Sequence, residues 1–123
     1  MDAPDSLLAP GTVLASLDGL CPDSATIVER VDGTRRVSVL ILRDVLGVRA
    51  FLNLCPHARW PLETFDGRVL FSDDGHLMCA AHGAVFDPLT GACRGGPGLG
   101  HGLMVIPVDV RDDGTVVIAG PMH

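Results

Sequence analysis

Two short cysteine–histidine pairs are the residues of this 123-residue chain whose types and spacing could do chemistry. The first pair is Cys55 and His57, separated by one proline. The second is Cys79 and His82, separated by two alanines and followed by a glycine. Thiolates bind soft or borderline metals, and imidazole suits zinc, copper and iron. The four side chains together predict a metal site.

Three interpretations of these residues differ in what the residues bind. As scattered core residues they would bind nothing, but two pairs of different spacing in one small chain make this the least favoured interpretation. A tetrahedral zinc site uses the same ligand types, although zinc motifs typically pair Cys with Cys and His with His. A [2Fe–2S] cluster in which two histidines replace two cysteines on one iron takes one residue of each type from each loop. The pattern therefore favours the iron–sulfur cluster and keeps zinc as the alternative.

Composition and charge exclude several function classes. The formal net charge is −6, which disfavours a nucleic-acid partner because phosphate neutralisation needs a basic surface. The N-terminus has no basic segment typical of a secretory signal, and the longest apolar runs, such as 37–42, are too short to span a bilayer. We therefore expect a cytoplasmic protein without a membrane segment. Cys21 and Cys93 have no histidine nearby, and no disulfide is expected for them.

The spacing of turns predicts short strands. Glycine (15) and proline (9) are abundant, and apolar residues make up 47% of the chain but aromatic residues only 4%, so a core of Val, Leu, Ile and Ala is expected. Asp-Gly turns separate β-branched and apolar runs. Strands are predicted at 25–31, 36–43, 48–54, 69–71, 76–79, 103–110 and 115–119. No stretch keeps a helical period. The pattern predicts an all-β antiparallel sandwich or small barrel, with both pairs on loops at strand ends.

The residues around both pairs resemble the cluster loops of Rieske domains. Residues 79–91, which read CAAHGAVFDPLTG, are similar to the second loop, C-x-x-H-G-x-x-F-D-x-x-T-G. Residues 55–62, which read CPHARWPL, are similar to the first loop, C-x-H-x-x-x-P-L. The Gly-Gly-Pro at 95–97 resembles the proline loop that covers the cluster. The resemblance extends over roughly residues 25–119.

The resemblance implies a Rieske fold with a cluster-binding subdomain made of two loops and a proline loop. It implies one domain over the whole chain, with a Rieske domain at 25–119 after a lead-in and first strand region at 1–24. It also implies one [2Fe–2S] cluster per chain, with Cys55 and Cys79 on the inner iron and His57 and His82 on the outer iron. The 21 residues at 58–78 exceed the usual spacing, and we place the excess in a longer loop and hairpin at 63–75.

The sequence differs from high-potential Rieske proteins in two ways. Such proteins carry an extra cysteine in each cluster loop and place Ser and Tyr hydroxyls near the sulfurs. Here neither loop has a second cysteine, Ala84 follows Gly83 where a serine would be needed, and the chain has no tyrosine. Fewer donors to sulfur give less stabilisation of the reduced cluster. We therefore predict a potential near the low end of the Rieske range, about −150 mV.

The predicted function is soluble one-electron transfer without substrate chemistry of its own, in a ferredoxin that serves an oxygenase or reductase. The predicted partners are proteins: a flavin reductase as donor, and a terminal oxygenase or reductase as acceptor. One alternative is an integral small subunit of a larger oxidoreductase, as in nitrite reductase. A less favoured one is a zinc-stabilised interaction module. Trp60 is expected either to dock a partner or to pack under its loop, and Leu99 and His101 form either a contact patch or a simple turn. His76 and His123 are expected at the surface.

Overall fold

The computed structural model describes residues 8–44, 47–55, 61–80, 83–95 and 102–123. Within these ranges the chain is nearly all β and every strand pairing is antiparallel, as predicted. The strands in chain order are β1 Val13–Ser16, β2 Ser24–Asp32, β3 Arg35–Asp44, β4 Gly47–Leu52, β5 Leu70–Phe71, β6 Leu77–Met78, β7 Val85–Phe86, β8 Cys93–Gly95, β9 Val105–Ile106, β10 Val108–Val110 and β11 Thr115–Ile118. One turn of 3₁₀ helix lies at Leu17–Gly19. No helix in the described ranges is long and apolar enough to cross a membrane.

The chain divides into two compact units. The first comprises Met1–Leu52 and Val105–His123, and the second comprises Asn53–Met104. Both predicted cysteine ligands belong to the second unit. The boundary falls between Leu52 and Asn53, shortly before the first cysteine of the predicted site.

The first unit contains two sheets, with strand orders β1-β11-β10 and β2-β3-β4-β9. The β2–β3 hairpin pairs continuously from Ser24↔Arg43 to Asp32↔Arg35. Its two-residue turn begins at Gly33 with φ +63°, a conformation that glycine adopts without steric cost. The Asp-Gly signal thus marked this hairpin correctly.

Apolar side chains from both sheets form one core in the first unit. The alternating residues Val37, Val39 and Ile41 face this core from β3, and Val116 and Ile118 reach it from β11. Successive strand residues point to opposite faces, so a single strand contributes every second side chain to it. The core is built from the aliphatic residues that the composition favours.

The second unit contains a four-stranded sheet in the order β5-β6-β7-β8. A tight turn closes the β5–β6 hairpin: the Gly75 amide donates to the Ser72 carbonyl (2.9 Å) and the Ser72 amide donates to the His76 carbonyl (2.8 Å). Leu62, Leu77 and Phe86 are fully buried. The hairpin turn predicted at 72–75 is present and joins β5 to β6 of this sheet; that 63–75 holds residues in excess of the usual spacing stays a prediction.

Three differences from the predicted strands have local causes. β1 lies within the lead-in and first strand region at 1–24, where a four-residue strand gives too short a pattern to fix its bounds; it pairs with β11. β7 and β8 have only two and three residues and lie inside the predicted cluster segments. The predicted strand at 103–110 is divided into β9 and β10 at Pro107, which has no amide hydrogen to donate to a ladder.

Candidate metal centre

Both predicted cysteine ligands are buried at strand ends in the second unit. Cys55 lies shortly after β4, and Cys79 immediately follows β6. Each is 0% exposed. Their placement in loops just beyond strands agrees with the position expected from the sequence.

The two histidine ligands lie outside the described residues. The same holds for Arg59, Trp60, Leu99 and His101. Of the four predicted ligands, the structure therefore places Cys55 and Cys79, and the convergence of all four stays a prediction. The glycine–proline part of the third loop, from residue 96, is likewise outside the described residues.

The segment around Cys79 is closed into a narrow turn by its own backbone. The Cys79 amide donates to the Ala84 carbonyl (2.8 Å), and the Gly83 amide donates to the Cys79 carbonyl (2.9 Å). Gly83 has φ +77°. A φ of this sign favours glycine, which adopts it without steric cost.

A backbone hydrogen bond joins the two cysteine-bearing segments. The Ala80 amide, next to Cys79, donates to the carbonyl of Leu62, which closes the first loop (3.0 Å). Leu62 is 0% exposed. The bond fixes the end of one loop against the start of the other.

Sequence reasoning missed Asn53, the buried polar residue at the start of the first loop. Asn53 is 3% exposed. Its Oδ1 accepts the amide hydrogen of Leu62 (3.0 Å), and its Nδ2 donates to the Glu63 carboxylate (2.7 Å). The available signal was a single amide side chain within the apolar run AFLNLC, two positions before a predicted ligand.

The third described segment of the unit, which follows β7, is organised by Asp87. Its carboxylate accepts the Leu89 amide hydrogen (2.7 Å) and pairs with Arg94 (3.1 Å). The hydrogen bond from the Leu89 amide lowers the pKa of Asp87 below its usual value, and the hydrogen bond from Arg94 lowers it further. The Gly91 amide closes the turn on the Asp87 carbonyl (2.8 Å). The F-D-x-x-T-G part of the motif is therefore a carboxylate-stabilised turn.

The remaining cysteines and histidines differ in exposure. Cys21 is exposed and Cys93 is half-buried, and both are free thiols. His123 is exposed, as expected. The His76 side chain is only 26% exposed and lies 3.1 Å from Asp74, so this histidine is less solvated than predicted. Hydrogen bonds from Ser72 and His76 lower the pKa of Asp74.

These observations fit an iron–sulfur cluster. Thiolate sulfur is a ligand that such clusters take from proteins, and both predicted cysteine ligands are buried within one unit. Backbone hydrogen bonds on either side of Cys79 restrict where its sulfur can lie. The described part of the site therefore supplies two buried thiol groups, on segments held by backbone hydrogen bonds.

Comparison with known proteins decides the family. A family model described as the Rieske [2Fe–2S] domain matches residues 15–112. The chain belongs to the Rieske [2Fe–2S] family. Like other Rieske domains, it binds a [2Fe–2S] cluster and is an electron-transfer module. No curated protein matches the sequence at a significant level.

Solved structures share this Rieske fold. The ferredoxin of carbazole 1,9a-dioxygenase from Nocardioides aromaticivorans IC177 superposes with a TM-score of 0.70 at 26% identity, covering 92% of this chain and 100% of that one. The Sphingomonas yanoikuyae B1 ferredoxin gives 0.66 at 24% identity, covering 90% and 99%. A protein described as a candidate nitrite reductase NADPH (small subunit) oxidoreductase gives 0.64 at 21% identity, covering 88% and 97%. The Rieske chain is thus similar in fold over nearly its full length to ferredoxins and to a reductase subunit.

Proposed function

We propose that this chain is a low-potential Rieske ferredoxin whose cluster is held by two cysteines and two histidines. Cys55 and Cys79 would bind the inner iron, and His57 and His82 the outer iron. The observation that carries the proposal is that both cysteines of the two motifs are fully buried in one unit, on segments joined by the Ala80–Leu62 hydrogen bond.

The bound cluster supplies reversible one-electron chemistry. The protein's own part is to exclude water from the thiolates and to determine which donors reach them. Ala84 is fully buried in the second loop, and its methyl group offers no hydrogen-bond donor. This supports a potential near the low end of the Rieske range, about −150 mV, because donors to sulfur stabilise the reduced state.

The proposed partners are redox proteins rather than small substrates. Similarity to the ferredoxin of a dioxygenase supports a role between a flavin reductase and a terminal oxygenase or reductase. We propose a cytoplasmic location for this exchange. A reductase that reduces the chain and an acceptor that reoxidises it would each need access to the outer, histidine-ligated iron.

Metal and sulfide analysis tests the cluster. Anaerobically purified protein should contain about two irons and two acid-labile sulfides per chain, and dithionite should produce the paramagnetic signal of a mixed histidine–cysteine centre. Zinc without sulfide would instead support an interaction module. A potential above about +100 mV would contradict the low-potential assignment.

The four cysteines provide matched variants for testing the ligands. Cys55→Ser and Cys79→Ser should each abolish the mixed-ligand signal. Cys21→Ser and Cys93→Ser should retain full iron and sulfide, because neither residue belongs to the proposed set. Loss of the cluster in a Cys93→Ser variant with retention in Cys55→Ser would overturn the assignment.

A second candidate is an integral small subunit of a larger reductase. Fold similarity to a protein described as a reductase small subunit supports retaining it. Gel filtration of native extract separates the two: a ferredoxin elutes alone near its mass of 12.9 kDa, whereas a subunit elutes with its large partner.

A further inference from the structure

We propose that Asn53 is a positioning residue that fixes the spacing between the two cysteine-bearing segments, with Glu63 holding its amide in the required orientation. The inference rests on the proposed ligand roles of Cys55 and Cys79. It concerns residues that bind no iron and that belong to neither loop motif.

A short chain of hydrogen bonds leads from one cysteine segment to the other. Asn53 lies two positions before Cys55, and its Oδ1 accepts the Leu62 amide hydrogen at 3.0 Å. The Leu62 carbonyl accepts the amide hydrogen of Ala80 at 3.0 Å. Ala80 immediately follows Cys79. Leu62 thus connects to the first segment through its N–H and to the second through its C=O.

The Asn53 side chain also bridges the base of the first loop. The loop leaves at Asn53 and returns at Leu62 and Glu63, and the single amide group bonds to both returning residues. Since Asn53 is 3% exposed, water cannot readily replace these bonds, and an unpaired buried polar group is costly.

The chemistry at this position requires both a donor and an acceptor. Oδ1 must accept from a backbone N–H, and Nδ2 must donate to a carboxylate 2.7 Å away. A side-chain amide does both, from two atoms bonded to one carbon. The carboxylate of Glu63 accepts and cannot donate when ionised, so it selects the orientation in which the Asn53 oxygen faces Leu62.

Two substitutions and their combination test this arrangement. Asn53→Asp keeps an acceptor for Leu62 but places a second carboxylate oxygen against Glu63. Glu63→Gln keeps an acceptor for the Asn53 amide but loses the charge that fixes its orientation, so its effect should be smaller than that of Asn53→Asp. In Asn53→Asp/Glu63→Gln, the new amide donates to the new carboxylate, which restores the hydrogen-bond pattern with donor and acceptor exchanged.

The primary readout is the rate at which a chelator removes iron from the holoprotein, and the second is its reduction potential and paramagnetic signal. We expect Asn53→Asp to lose iron about tenfold faster than wild type, because the variant lacks a buried, charge-assisted hydrogen bond. Its reduction potential and its paramagnetic signal should also change. The double variant should return all three to near wild type. Thr64→Val is the matched control, because it removes the exposed Thr64 Oγ1 contact to the Arg68 amide (3.1 Å) and leaves the Leu62 connections intact.

Three results would overturn the inference. Asn53→Asp could lose iron at the wild-type rate, or the double variant could lose iron as fast as Asn53→Asp. Asn53→Asp could also have a lower melting temperature with an unchanged reduction potential and paramagnetic signal. The last result would indicate general stabilisation only. If wild type instead held zinc, the proposed function would fail, but zinc release from the same variants would still test the positioning role. If no metal bound, labelling of Cys55 and Cys79 by a thiol reagent would test it, with faster labelling expected in Asn53→Asp than in wild type or in the double variant.

Discussion

Removing the Asp87 carboxylate should destabilise the second unit by a predictable amount. In the Asp87→Ala variant, Leu89 N–H loses an acceptor at 2.7 Å and Arg94 loses an ion-pair partner at 3.1 Å. A hydrogen bond to a charged group contributes about 1.5–3 kcal/mol. The Arg94 side chain is 55% exposed, so the ion pair adds at most about 1 kcal/mol.

We expect the lower part of this range, because the Asp87 side chain is 18% exposed and water partly replaces the lost contacts. The backbone bonds of Asp87 to Ala92 and Gly91 also remain in the variant. A loss of about 2 kcal/mol corresponds to a decrease in Tm of about 8 °C for a chain of this size. Asp87→Asn should recover part of the loss, since its amide oxygen still accepts from Leu89.

Thermal unfolding of the holoprotein, followed by circular dichroism, measures the difference. Asp113→Ala is the matched control: Asp113 accepts the Thr115 amide hydrogen (3.0 Å) in a similar local geometry but is fully exposed, and its removal should cost clearly less. The Asp87 pKa is lowered in the folded state, so its contribution is fully present above the pKa of an unfolded aspartate and is lost as pH falls through the folded pKa. The difference between wild type and Asp87→Asn should therefore be constant from about pH 6 to pH 8. Equal losses in Asp87→Ala and Asp113→Ala would refute the reasoning.

Three further predictions follow from single residues. Gly102→Ala should lower the free energy of unfolding by about 1–3 kcal/mol in denaturant, because the added Cβ would lie 2.9 Å from the Gly91 carbonyl oxygen. Gly95→Ala is the control, since no described atom lies within 4 Å of a Cβ built there. Equal losses in the two variants would contradict this prediction. Ala84→Ser should raise the reduction potential, because the new hydroxyl would donate to a cluster or cysteine sulfur and stabilise the reduced form. A tenfold preference for the reduced form corresponds to about 60 mV for one electron. An unchanged potential in a redox titration would contradict this prediction. Phe65→Ser should change the free energy of unfolding by less than about 0.5 kcal/mol, because Phe65 is fully exposed in its turn; a larger loss would show that Phe65 packs against the protein.

The regular strands could be predicted because each carries its own local signal. β2 and β3 are β-branched and apolar runs joined by an Asp-Gly turn, and their register follows from that turn. The hairpin between β5 and β6 likewise follows from the Asp-Asp-Gly run before His76. β7 and β8 lack such a signal because, with two and three residues, they are too short for any alternation to be recognised.

The sequence could indicate candidate ligands but not the residues that support them. Cys55 and Cys79 stand out because of the histidines beside them, whatever the fold. Asn53 does not, because its importance comes from contacts with Leu62 and Glu63 that lie nine and ten residues away.

Leu62 gives a physical reason for the last position of the first loop motif, C-x-H-x-x-x-P-L. Its side chain is fully buried, while its N–H bonds to Asn53 and its C=O bonds to Ala80. Burial of the leucine holds the peptide groups on either side of it in place, and these groups connect the segments that carry Cys55 and Cys79. Any apolar residue of similar volume would satisfy the packing, but only a residue with a free amide hydrogen could satisfy Asn53. A Leu62→Met substitution should therefore preserve the cluster environment, whereas proline at this position would break the connection to Asn53 even if the fold survived.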